Sequence, residues 1–145
     1  MQVVYKSDGQ IEAIRVSSLL VGDTLAEVAS RIKPGMRTID LDRVAETFIR
    51  DHQAEPAFKG YHGFPASLCI SVNAEVVHGI PGNRELKDGD VVSIDCGVNK
   101  GGFFGDSAYS FVIGDVPAKT IELLRVTKRC LMQGVSKAVE GLRIG

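Results

Sequence analysis

Apolar residues recur every three or four positions near the start of the chain, which predicts a long amphipathic helix. The members of this pattern are Ile11, Ile14, Val21, Leu25, Val28 and Ile32. Ser7 with Gln10 three residues later is typical of a capping box at the beginning of a helix. The sequence Lys33-Pro34-Gly35 predicts its end.

Two further helices follow from the same periodicity. Thr38 is expected to cap a second helix that ends near His52, and a third is expected over residues 118–140. The predicted buried positions of the second helix are Leu41, Val44, Ala45, Phe48 and Ile49. Those of the third are Ile121, Leu124, Leu131, Val135, Ala138 and Leu142.

Between the second and third helices the pattern favours strands. Residues 67–72 and 75–78 are short apolar runs separated by a turn. Residues 91–98 and 103–113 are rich in β-branched and aromatic residues, and the four residues between them have a turn composition. The sequence therefore predicts a β-hairpin at the centre of the fold.

The hairpin carries two acids whose placement is unusual. If the turn is centred between Lys100 and Gly101, Asp95 faces Asp106 directly. Facing Cβ atoms lie roughly 4.5–5.5 Å apart, and like charges there are destabilising. Three solutions remain open: the pair shares a proton, a divalent cation lies between the carboxylates, or a bulge turns one of them to solvent.

Composition narrows the class of protein. The 145 residues carry a formal charge of −1, with 44% hydrophobic and 24% charged residues, which suits one soluble domain. No apolar run approaches the ~18 residues of a spanning helix, and the charge balance does not favour nucleic-acid binding. Three widely spaced cysteines without a CxxC motif favour a reduced, cytoplasmic protein.

An aromatic loop and one histidine are the other candidate functional features. Residues 53–65 are irregular and contain Phe58, Tyr61 and Phe64, which either line a pocket or pack over the helices. His78 stands beside Gly79 at the expected end of a strand. Its side chain either projects into a cleft or is an ordinary polar residue.

A weak internal repeat links the exits of two helices. Gly35-Met36-Arg37 follows the first helix, and Gly141-Leu142-Arg143 follows the third, each with an Ile shortly after. We therefore expect a second helix-helix-strand unit to begin at the third helix, so that the chain is interrupted within a repeat.

Three motifs together resemble the type I methionine aminopeptidases. They are YHGFPASLCISVNAEVVHGIP at residues 61–81, LKDGDVVSIDCG at residues 86–97 and FFGDSAYSF at residues 103–111. Residues 11–52 are also similar, so the resemblance covers nearly the whole chain. Two Asp eleven positions apart also occur in proline-cleaving aminopeptidases and dipeptidases, whereas the first motif is specific to the methionine enzymes.

The resemblance implies the α/β pita-bread (creatinase/aminopeptidase) fold, with residues 1–145 as its N-terminal half plus the first helix of the second half. It implies removal of initiator methionine from nascent polypeptides, at the ribosome and in the cytoplasm. It also implies two divalent metal ions, Co, Mn, Fe or Zn, held by five ligands. Asp95 matches the ligand of one metal, and Asp106 matches the ligand that bridges both.

The resemblance also implies roles for residues outside the acidic pair. His78 matches the histidine that contacts the scissile peptide, as both a catalytic and a substrate-binding residue. The backbone near Asn73 and Glu75 matches a monovalent-cation site. The residues that match the walls of the methionine pocket are Phe58, Tyr61, Phe64 and Cys69.

The chain departs from the family in its ligand set. The remaining three ligands, one His and two Glu, belong to the second half of the fold, and Glu122 and Glu140 lie in the wrong context to replace them. We therefore expect residues 1–145 alone to be inactive. Two other functions stay open: a metal-free carboxylate pair, as in a retaining glycosidase with carboxyl groups ~5 Å apart, and a non-catalytic binding module.

Overall fold

Two helices cover one face of an antiparallel sheet, and a third helix follows the sheet in the chain. The computed structural model describes residues 4–143. The elements, in chain order, are α1 (Asp8–Arg31), α2 (Thr38–Asp51), β1 (Glu55–Pro56), a 3₁₀ turn (Tyr61–Gly63), β2 (Leu68–Val72), β3 (Val91–Lys100), β4 (Phe103–Val112) and α3 (Ala118–Ser136).

Strand β3 is the centre of the sheet. It pairs with β4 along its whole length, from Val91 opposite Val112 to Lys100 opposite Phe103. Its other edge is shared by β2 and the two-residue β1. All three pairings are antiparallel.

Alternation along β3 separates a core face from an open face. Val92, Ile94, Cys96 and Val98 are fully buried, α1 packs over them, and α2 packs against β1 and β2 beside them. The residues between them point to the other side and are only half-buried up to Asp95. This period of two directs the apolar side chains to the helices and leaves the polar side chains of β3 accessible.

Helix α1 lies unusually close to the start of β4. An ideal Cβ at Gly105 would lie 2.5 Å from the backbone nitrogen of Ser18, so only glycine fits there. The Ser17 hydroxyl, which is buried, donates a hydrogen bond of 2.9 Å to the carbonyl of Phe103. These contacts fix the sheet against the helix layer.

The sequence predicted the boundaries of the first two helices well. The capping box at Ser7 and Gln10 is confirmed, and α1 ends at Arg31, just before Lys33. The prediction that Thr38 caps α2 is wrong, because Arg37 occupies the cap position without a side-chain bond. The Thr38 hydroxyl instead donates to the carbonyl of Gly82 and accepts from its N–H, at 3.1 and 2.9 Å.

Two other expectations differ from the structure. Residues 75–78 form no strand: the chain turns away at Asn73, whose φ is +57°, and Val76 and Val77 are exposed. Helix α3 ends at Ser136 rather than near residue 140, and of its expected apolar face only Leu124 is half-buried.

The repeated helix exits share a backbone feature. Gly35 and Gly141 both adopt left-handed φ angles, of +84° and +85°. The Ile144 that completes the second exit lies outside the described residues, together with Gly145. A second structural unit that begins at α3 therefore stays a prediction.

Candidate active site

The turn of the central hairpin sets the position of the two acids. Gly101 and Gly102 have φ angles of +61° and +84°, as a two-residue type I′ turn requires at both central positions. The turn is therefore centred between the two glycines, and Asp95 pairs with Ala108 while Asp106 pairs with Gly97. The expectation that Asp95 faces Asp106 directly is wrong by two positions.

A shift of two positions keeps both acids on the same face of the sheet. Asp95 and Gly97 alternate with buried residues on β3, so Asp106, opposite Gly97, is the diagonal neighbour of Asp95. Diagonal positions lie roughly 7–8 Å apart, within reach of side chains. The β3–β4 ladder is continuous at these positions, so a bulge does not separate the carboxylates.

The electrostatics show that the acids interact. Burial, followed by the charge of Asp106 and a hydrogen bond with it, raises the pKa of Asp95 above its ordinary value. The charge of His78 acts on Asp95 in the opposite direction. His78 and Asp106 therefore both lie close enough to Asp95 to change its pKa.

The acidic pair fits a divalent cation. Ionised carboxylate oxygens are preferred ligands of hard and borderline metals, and a cation would relieve the repulsion that disfavours ionisation of Asp95. Within residues 4–143, no group of three or more His, Cys, Asp or Glu side chains is arranged to hold a metal. The described residues therefore offer a pair of carboxylates rather than a closed metal site.

His78 lies on an exposed loop with an uncommon backbone. Its φ is +59°, in the left-handed region that residues other than glycine adopt uncommonly. Its side chain is exposed. The imidazole is therefore accessible, and its contact with a substrate stays a prediction.

Cys69 lies beside the acids on the open face. It is paired with Asp95 across β2 and β3 and is 7% exposed. Burial and then the charges of Asp95 and Asp106 raise the pKa of the thiol to about 11. A thiol that stays protonated at neutral pH suits a pocket wall and not a nucleophile.

The aromatic candidates occupy different positions. Phe58 packs on Gly97, where an added Cβ would lie 2.5 Å from the Phe58 ring, so Phe58 covers the residue opposite Asp106. Tyr61 is 68% exposed and packs edge-on against His62. Phe64 is half-buried and accepts the Gly60 N–H at its carbonyl. For Tyr61 and Phe64 a pocket role stays a prediction.

Sequence reasoning missed Asp42, a buried acid that holds the start of β2 by hydrogen bonds. Asp42 on α2 is 4% exposed, and its Oδ1 accepts the N–H groups of Ser67 and Leu68 at 2.9 and 2.7 Å. Burial raises the pKa of this carboxyl, and the two backbone hydrogen bonds oppose that shift. The only sequence signal was an Asp directly after Leu41, within an apolar stripe.

The loop after β2 is tied by polar side chains. Asn73 donates to Asp90 at 2.7 Å and accepts the Val91 N–H at 2.9 Å. Glu75 accepts the Val72 N–H at 2.8 Å and pairs with Arg84 at 2.8 Å. These contacts fix the loop backbone, and a monovalent cation there stays a prediction.

Comparison with known proteins defines the class to which this site belongs. The sequence model described as metallopeptidase family M24 matches residues 12–145, and the chain belongs to that family. Among its relatives are the methionine aminopeptidase of Clostridium perfringens, 46% identical over 136 residues, and methionine aminopeptidase 1 of Bacillus subtilis, 43% identical over 142 residues. These alignments cover 94% and 98% of this chain, but 55% and 57% of the relatives.

Comparison with solved structures agrees with the comparison of sequences. The methionine aminopeptidase of Rickettsia prowazekii superimposes with a TM-score of 0.90 at 35% identity, over 92% of this chain and 54% of that one. The prolidase of Pyrococcus horikoshii, at 18% identity, shares the fold with a TM-score of 0.80, over 92% of this chain and 37% of that one. The chain thus spans about half the length of the curated relatives that it matches.

These findings confirm the resemblance to methionine aminopeptidases and the α/β pita-bread fold. Membership in a metallopeptidase family favours a metal over a shared proton between the acids, and it counts against a glycosidase. Of the helices described, none combines the length and the apolar character needed to cross a membrane.

Proposed function

We propose that the protein containing this chain removes the initiator methionine from new polypeptides, and that these residues form the N-terminal part of its catalytic domain. The observation that carries the proposal is the placement of Asp95 and Asp106 on one open face, with Cys69 beside them and His78 close enough to act on the pKa of Asp95. The family and the methionine aminopeptidases that resemble the chain support the same reaction.

The metal ligands on this chain are Asp95 and Asp106. Their same-face, diagonal placement lets both carboxylates reach one cation, and we propose that Asp106 bridges two. Divalent ions such as Mn, Co, Fe or Zn, when bound there, would supply Lewis-acid activation of the scissile carbonyl and of the attacking water. The carboxylates hold that charge in place on the rigid central hairpin.

His78 acts on the peptide group of the substrate. Its exposed imidazole is near enough to Asp95 to change that residue's pKa, so it borders the reacting centre. A ring N–H directed at the scissile peptide stabilises charge that develops there during hydrolysis.

The methionine side chain binds beside the acids. Cys69 forms one wall, Phe58 over Gly97 forms another, and we assign Tyr61 and Phe64 to the rim. A pocket lined by a protonated thiol and aromatic rings suits an unbranched thioether. The substrates are the N-termini of nascent chains at the ribosome, in the cytoplasm.

The test is a pair of Asp→Asn changes in the intact protein. Asp106→Asn removes the bridging carboxylate, whereas Asp115→Asn removes an exposed acid in the loop after β4. We expect Asp106→Asn to lose both Mn²⁺ binding by calorimetry and methionine release from a Met-Ala-Ser peptide. The Asp115→Asn control should keep both.

Two results would assign a different function. Turnover that persists in chelator and in Asp106→Asn would favour metal-free chemistry at the carboxylates. Wild-type metal binding without release of methionine would favour a binding module that keeps the fold.

A further inference from the structure

The residue after His78 is fastened to strand β2 by two hydrogen bonds. Ile70 donates its N–H to the carbonyl of Gly79 at 2.8 Å, and Gly79 donates its own N–H to the Ser71 hydroxyl at 3.1 Å. One of these bonds is between backbone groups, and the other depends on a single side chain. We name this pair of bonds the Gly79 clamp.

The clamp holds the far end of a loop whose near end is already fixed by the contacts of Asn73 and Glu75. Residues 76–78, between those contacts and Gly79, belong to no helix or strand and are exposed. A left-handed backbone is strained for a residue with a side chain, so it persists at His78 only where neighbouring contacts impose it. Gly79 is the point directly after His78 at which such contacts occur.

Gly79 lies so close to β2 that a side chain at this position would collide with the backbone of the strand. An ideal Cβ there would lie 2.1 Å from the carbonyl oxygen of Ile70 and 3.0 Å from the Cα of Ser71. Glycine is therefore required for the loop to lie this close to the backbone of β2. The two hydrogen bonds fix the loop beside the strand that also carries Cys69.

We propose that Ser71 is a positioning residue for His78, acting through the N–H of Gly79. Ser71 is 4% exposed and lies on the same face of β2 as Cys69, two residues away. Its hydroxyl thus sets the backbone from which the imidazole reaches the carboxylate face. This inference rests on the proposed role of His78 in the reaction.

Ser93 provides a matched control. It is paired directly with Ser71 across β2 and β3, so its side chain is on the same face. Its hydroxyl bonds to that of Ser110 at 2.8 Å and not to the His78 loop. Ser93→Ala therefore removes a neighbouring hydroxyl without touching the clamp.

The first measurement is NMR on the ¹⁵N-labelled intact protein. In Ser71→Ala we expect amide exchange at Gly79 to accelerate on the order of tenfold, because one hydrogen bond is lost. We also expect the amide–Hα coupling of His78 to move away from its left-handed value. Gly79→Ala should produce the same changes more strongly, and Ser93→Ala should produce neither.

The second measurement is steady-state kinetics on a Met-Ala-Ser peptide. Ser71→Ala should lower kcat about tenfold with KM nearly unchanged, because Cys69 and the two carboxylates stay in place. A rise in KM alone, an equal loss in Ser93→Ala, or unchanged Gly79 exchange would overturn the proposal. Altered exchange with an unchanged kcat would also overturn it.

The two proposals can fail separately. If Asp106→Asn abolishes turnover while Ser71→Ala changes neither kcat nor exchange, the positioning role is wrong and the proposed function stands. If Asp106→Asn keeps full turnover, the proposed function is wrong. In that case a link between Ser71 and catalysis through His78 is wrong as well, whatever the exchange rates show.

Discussion

At the scale of single residues, the pair of Asp95 and Asp106 lowers the stability of the folded chain when no cation is bound. The pKa of Asp95 lies above its ordinary value because of burial and the nearby Asp106. A carboxyl with a raised pKa favours folding only while it is protonated, and this contribution is lost as the pH rises through the raised value. At neutral pH the pair therefore opposes folding and favours metal binding.

It follows that Asp106→Asn should stabilise the chain in the presence of a chelator. We expect its free energy of unfolding at neutral pH to exceed that of the wild type by roughly 0.2–1 kcal/mol, the magnitude typical of a cross-strand side-chain pair. The gain should shrink as the pH falls towards the ordinary aspartate value of about 4. Urea unfolding across this pH range measures it, and a wild type that is the more stable at neutral pH would contradict it.

Asp42 has the opposite energetic role, because its carboxylate satisfies two backbone N–H groups at the start of β2. Asp42→Ala leaves both buried donors without their acceptor and should cost about 2–4 kcal/mol of unfolding free energy. Asp42→Asn keeps an acceptor oxygen and should cost clearly less. Urea unfolding of both variants is the measurement, and equal losses would show that the hydrogen bonds are not the cause.

At the scale of elements, Gly105 on β4 and Gly22 on α1 differ in how closely the other element approaches them. Gly105 meets the backbone of Ser17 and Ser18, whereas Gly22, on α1 itself, has no atom within 4 Å of an added Cβ. The same substitution therefore tests contact at one position and helix propensity at the other.

Gly105→Ala should destabilise the protein by about 1–3 kcal/mol, the usual cost of overpacking. Gly22→Ala should stabilise it by roughly 0.5–1 kcal/mol, because alanine loses less backbone entropy in a helix. Thermal unfolding of the two variants followed by circular dichroism gives both signs. A Gly105→Ala protein as stable as the wild type would mean that α1 does not pack against β4 as closely as described.

The sequence predicted elements better than their pairing. The period of apolar residues placed α1, α2 and the hairpin, because each buries one continuous face. The register depended on which two residues of the turn take positive φ, and composition alone allowed Lys100 as well as Gly102 to be central. Val76 and Val77 suggested a strand, but the turn at Asn73 directs them into solvent.

In the candidate site, too, some features could be predicted from the sequence and others could not. An error of two positions in the register leaves Asp95 and Asp106 on the same face, so the acidic pair was predictable from parity. Asp42 was not, since its partners lie 25 and 26 residues away and one polar residue in an apolar stripe does not indicate them. The left-handed backbone of His78 likewise depends on a contact with β2 that no local pattern encodes.

At the scale of the whole molecule, helix α3 stands apart from the packed layers. None of its residues is buried, and Lys128, which lies 5.7 Å from the ring of Tyr109, is one of its few contacts with the sheet. Large apolar side chains on α3 are exposed, among them Ile121, Leu123, Val126, Leu131, Met132 and Val135. Ile121, Leu131, Met132 and Val135 share one side of the helix by their spacing, and exposed apolar side chains grouped in this way are typical of an interaction face or of a tendency to aggregate.

We therefore predict that the polypeptide of residues 1–145, made alone, self-associates through α3. The double variant Leu131→Glu, Val135→Lys replaces two side chains that are 63% and 56% exposed with an ion pair of favourable helical spacing. It should shift the molar mass towards the monomer in size-exclusion chromatography with light scattering. Leu19→Glu, at an exposed apolar position on α1, is the matched control and should leave the association unchanged. A monomeric wild type, or a control as effective as the α3 variant, would show that this face does not drive association.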